Sequence, residues 1–112
     1  GDIMAQDFES TGIVITNSET DLLTANSDDA IVGLRLANVL TTAVTIDVYI
    51  DLNGAGTDFY IIKGASIPPA GSIELIQGGS KIVLNNGDVV RALCGTSNGV
   101  HAWISRVDAI ST

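Results

Sequence analysis

Val44, Ile46, Val48, Ile50 and Leu52 alternate with Thr45, Asp47, Tyr49 and Asp51. A period of two gives a strand one apolar face and one wet face, and no helix matches it. The same reading predicts a strand over Ala30 to Val39, with Val32, Leu34 and Leu36 on one face and Gly33, Arg35 and Ala37 on the other. Shorter apolar runs at Gly12 to Asn17, Phe59 to Gly64, Ser72 to Ile76, Lys81 to Leu84, Val89 to Cys94 and Val100 to Val107 bring the predicted strands to eight. Between the first two strands, Ser18 to Asp28 sets Leu22 and Leu23 among Ser, Thr, Asn and Asp, whose side chains compete for backbone hydrogen bonds. This stretch reads as a loop with room for one helical turn.

The punctuation fits antiparallel strands. Asn53-Gly54, Asn86-Gly87 and Asn98-Gly99 tolerate positive φ, and Gly78-Gly79 does so without a Cβ. Pro68 and Pro69 stiffen the chain and Ala70-Gly71 finishes a turn before Ser72, so Ile67 to Gly71 reads as a corner rather than a ligand loop. It has neither the Lys and Ser/Thr of a phosphate loop nor a following helix. The expected fold is all-β, with about eight short antiparallel strands in a two-sheet β-sandwich, jelly-roll or immunoglobulin-like, and a closed barrel as the alternative. Residues 12–112 are expected to form one domain, preceded by an arm over residues 1–11.

Composition narrows the function. At 112 residues, 46% hydrophobic and 16% charged, the chain has the apolar material for one core. Thirteen acidic residues against five basic ones leave a charge of −8, which repels phosphate backbones and anionic membranes. No nucleic-acid or membrane partner is expected, and no apolar run nears the length of a spanning helix. Cys94, alone, excludes an intrachain disulfide and reads as a small apolar core residue. No signal peptide is visible, and a soluble protein is expected.

Candidate chemistry is sparse. His101 and Ser105 lie on one predicted strand, about 13 Å apart by strand rise, too far for a nucleophile and its base. One His and one Cys do not make a zinc set. Asp51, Asn53 and Asp58 surround glycines as calcium ligands would, but the twelfth position of that loop is Ile62, not Glu, and a hairpin explains it better. Asp28-Asp29 reads as a solvated loop end. No enzyme activity, cofactor or metal is expected.

Trp103 shares a strand face with His101, Ser105 and Val107, against Val100, Ala102 and Ile104 on the other. If the small aliphatic face is the core, Trp103 points outward as an interface anchor; if Trp103 is core, it fills space. Tyr49, between Asp47 and Asp51, is expected to point outward. The candidate interface residues are Asp2, Ile3, Met4 and Phe8 in the arm, with Tyr49, Tyr60, His101 and Trp103 in the sandwich.

The stretch "IPPAGSIELIQGGSKIVLNNGDVVRALCGTSNGVHAWISRVDAI", Ile67 to Ile110, with "LRLANVLTTAVTIDVYI" before it, resembles small virion structural proteins of tailed bacteriophages. The shared pattern is one of strand and turn order. The resemblance implies a non-enzymatic β-sandwich made in the host cytoplasm and assembled on the virion. A capsid decoration or cement protein is favoured, trimeric, on the outer shell and bridging major capsid subunits. A neck, tail or fibre-associated protein is the alternative. A carbohydrate-binding sandwich that uses Trp103, Tyr49 or Tyr60 as a stacking platform is a third reading.

Overall fold

The computed structural model describes residues 8–52, 57–76, 81–96 and 98–107, with the side chain of Phe8 left aside. They form nine strands: β1 (Phe8–Ile15), β2 (Thr20–Thr24), β3 (Asp29–Asn38), β4 (Val44–Asp51), β5 (Asp58–Ile67), β6 (Ser72–Glu74), β7 (Ile82–Leu84), β8 (Val89–Cys94) and β9 (Val100–Val107). Sheet I has the order β1-β9-β3-β6, with β7 also on β3, and sheet II the order β2-β8-β4-β5. All pairings are antiparallel. The sheets stack as a sandwich and do not close into a barrel.

The inward positions follow the alternation. Val44, Ile46 and Val48 from β4, Val90, Ala92 and Cys94 from β8, and Val100, Ala102 and Ile104 from β9 are all buried in one apolar core. Burying each large aliphatic side chain is worth about 1.5–3 kcal/mol, so this layer is the main source of stability. In β3 the alternation slips. A bulge between Ile31 and Gly33 places both Ile31 and Leu34 inside, and Val32 falls between them.

Three expectations change. Ser18 to Asp28 is not a loop, because Thr20–Thr24 form β2 on β8, and a bulge between Asp21 and Leu23 lets the adjacent Leu22 and Leu23 both face the core. Phe8 to Thr11 are not part of an arm, because they pair with Val107 to Ile104 as the first half of β1. Asp29 is not solvated: it is 0% exposed, receives a 2.7 Å hydrogen bond from the Ser27 hydroxyl and lies 3.5 Å from Arg106, which also binds Glu9 at 2.9 Å. That group ties β1, β9 and the start of β3 together.

The proline corner is held from outside itself. The Asn38 amide donates to the carbonyls of Thr42, Ile67 and Pro68 at 2.8, 3.0 and 3.1 Å, and its oxygen accepts from Leu40 N at 2.8 Å. Gly71 N closes the turn on Pro68 O at 2.9 Å, with Ala70 at φ 59°. The stretch therefore turns the chain from sheet II into sheet I.

Candidate interaction surface

Sheet I fixes Trp103 by register. Gly12 of β1 and Arg35 of β3 lie opposite it on either side, and the next row outward on the same face is Val14, His101 and Ala37. Because Val100, Ala102 and Ile104 occupy the inner face, Trp103 is displayed and 55% exposed, with Val14 at 45%. Apart from Arg35 and His101, its neighbours are small. A Cβ at Gly12 would stand 3.2 Å from Cε3 and Cζ3 of the indole, so the ring rests on that glycine.

Two shallow hollows flank the indole. One, about 290 Å³, is lined by Gly12, Val14, Ala37 and His101; the other, about 350 Å³, by Gly33, Glu74 and Ser105. The charged side chains on this face, Arg35 and Glu74, are 3.5 Å apart, and Glu74 also accepts from Leu34 N at 3.0 Å. Among the described residues the outer face of sheet I therefore carries no excess charge.

Sheet II is the opposite. Its outer side holds five carboxylates, Glu19, Asp21, Asp47, Asp51 and Asp58, against two cations, Arg91 and Lys63. Arg91 bridges Asp21 at 2.8 Å and Asp51 at 2.5 Å, and Lys63 lies 4.4 Å from the centre of the Tyr60 ring. Asp51, considered above as a cation ligand, is thus held by an arginine. Three negative charges remain uncompensated.

Tyr49 does not act as an outward anchor. It points to the polar side as the alternation requires, yet is 3% exposed, because Tyr60 covers it at 5.2 Å between ring centroids and its hydroxyl donates a short hydrogen bond to Glu19. Burial first, then the Glu19 bond and the nearby carboxylates, push its pKa well above its ordinary value; Arg91 opposes them. Tyr60 and His101 are exposed, Tyr60 on the acidic side and His101 beside Trp103. Asp2, Ile3 and Met4 lie outside the described residues, as does the Phe8 side chain. Cys94 is buried in the core. The alternation puts Trp103 and His101 on one strand face without deciding which way that face points; the roles of Gly12, Val14, Arg35 and Ala37 as their surroundings depend on cross-strand register.

No protein-family model matches the chain, and no curated protein matches it. Among solved structures it is similar to a protein of the Bacillus endospore appendages, a family of disulfide-linked pili, with 16% identity over 93% of this chain and 87% of that one, at a TM-score of 0.49. It is also similar to a pentameric capsid protein from metagenomic phage sequences, with 12% identity over 91% of this chain and 64% of that one, at a TM-score of 0.47. This chain spans less than two-thirds of that capsid protein's length.

Proposed function

We propose that this chain is a non-enzymatic structural protein of a phage virion, a decoration or cement protein that attaches to a shell of major capsid subunits as a homo-oligomer. The observation that carries the reading is the division of the sandwich into two unlike outer faces. Sheet I presents an exposed tryptophan on a surface with no excess charge, and sheet II presents an acidic one. A chain of charge −8 meets another protein with least repulsion through the neutral face, while the acidic face keeps the assembly soluble. Large aromatic side chains set among small ones are the anchors that carry most of the energy at protein contacts. The strand and turn order of residues 67–110 supplies the virion context.

The test is cosedimentation of the purified chain with undecorated phage capsids at micromolar concentration. Binding that weakens at least tenfold in Trp103→Ala supports the proposal, and absence of binding contradicts it. A place in the neck or tail is distinguished by copy number in an intact particle, hundreds for the shell and a dozen or fewer for the tail. The exposed Trp103 beside Arg35 and Glu74 also suits a saccharide stacked on the indole. Glycan-array silence removes that second reading.

A further inference from the structure

The rows on the outer face of sheet I differ in a way that makes the face complementary to itself. One row runs Gly12, Trp103, Arg35, Glu74; the next runs Val14, His101, Ala37, Ser72. Apart from Gly12 the first is bulky or charged, and apart from His101 the second is small; the second carries neither an acid nor a Lys or Arg. They are two residues apart along each strand, about 6.6 Å. A hollow of about 290 Å³ lies over the second row, beside the indole of the first.

We infer that this face pairs with the same face of a second copy of the chain. The inference rests on the reading of sheet I as a protein contact and names the partner. A two-fold axis lying between two facing sheets, across the strands at the level of Ala102, exchanges the two rows. It seats each Trp103 in the hollow over the other copy's Val14, His101 and Ala37. It also lays Arg35 over Ala37 and Glu74 over Ser72, so no charge meets its like. Such isologous contacts require both knob and hole on one patch, and facing sheets stack about 10 Å apart with strands within about 30°.

Charge supports this occupant, and area sets its strength. The ionised pair on this face, Arg35 and Glu74, neutralises itself within each copy, so two acidic chains meet here without the repulsion that sheet II would impose. Centred on Ala102, β1, β9 and β3 overlap their counterparts over about five residues each and β6 over about three, a footprint of roughly 300 Å² per copy at about 4.8 Å spacing, about 600 Å² in total. That is below the roughly 1,000 Å² of a stable specific interface, so the pair is weak and concentration-dependent. A contact of this kind joins copies two by two; the trimer that the resemblance implies would use other surfaces.

Trp103 is the chain's single tryptophan, so its fluorescence reports on this contact alone. The experiment combines sedimentation and emission spectra of the purified chain from about 1 to 500 µM, for the parent chain, Trp103→Ala, Ala37→Glu and Tyr60→Ala, with circular dichroism to confirm folding. The expected result is a shift from monomer to dimer with a blue shift of emission. Ala37→Glu removes both, Trp103→Ala weakens the dimer at least tenfold, and Tyr60→Ala, on the other sheet, changes neither. A monomer with constant emission throughout overturns the inference, as does a dimer that Ala37→Glu leaves intact. Shell binding that depends on Trp103 in a chain that stays monomeric overturns the second copy as partner while leaving the proposed function standing.

Discussion

The indole of Trp103 lies against the backbone of Gly12, at a separation where a Cβ on that residue would stand 3.2 Å from two ring carbons. The ring is exposed and free to move by the few tenths of an ångström that an alanine there demands. Gly12→Ala is therefore expected to change stability by no more than about 1 kcal/mol. It should also lift the indole and increase its quenching by acrylamide. Thermal unfolding and quenching, measured together, check both halves.

Tyr49 predicts the behaviour of the fold in alkali. Its hydroxyl, covered and bonded to Glu19, ionises well above its ordinary value of 10.0. The folded chain thus holds this proton more tightly than the unfolded chain, and its stabilising contribution, complete below pH 10, is lost as the pH rises past it. Unfolding by urea above pH 10 should show stability falling with pH in the parent chain. Tyr49→Phe should lose about 1 kcal/mol at neutral pH and show a shallower alkaline slope.

Asn38 is 3% exposed and holds four backbone groups from two segments. Asn38→Ala leaves buried carbonyls and one N–H without it, at about 2–3 kcal/mol. Asn38→Asp keeps the acceptor but points a carboxylate at three carbonyl oxygens, and should be no milder. A lower urea midpoint with unchanged slope is the expected signature.

Ala70 holds a φ of 59°, where an L side chain costs about 1–2 kcal/mol and glycine costs less. Glycine gives back about 0.5–1 kcal/mol through unfolded-state entropy. Ala70→Gly should therefore raise stability by about 0.5–1 kcal/mol. A fall in the thermal midpoint would contradict that assignment of strain.

Period-two patterning made most of the fold legible. It located β4, β8 and β9 within a residue or so, because β8 alternates throughout and β4 and β9 bury every second side chain over their first five residues. It failed where a bulge breaks the period: in β2, adjacent Leu22 and Leu23 are both buried, a pattern that reads as neither strand nor helix. For the surface, alternation gave the side of the strand on which a residue lies but not what covers it. Tyr49 lies on the expected side beneath Tyr60 and Glu19, which arrive from β5 and from just before β2. Trp103 was undecided from its own strand and became decided only by the small aliphatic residues packing inward beside it.

The central claim is that a protein partner covers the outer face of sheet I during assembly. Hydroxyl-radical footprinting read by mass spectrometry measures the oxidation of Trp103 directly, first in the dilute free chain and then in the chain bound to undecorated capsids. Protection of Trp103 by several-fold, with Tyr60 on the acidic face oxidised as before, is the predicted result. Equal oxidation of Trp103 in the free and the bound chain would contradict it.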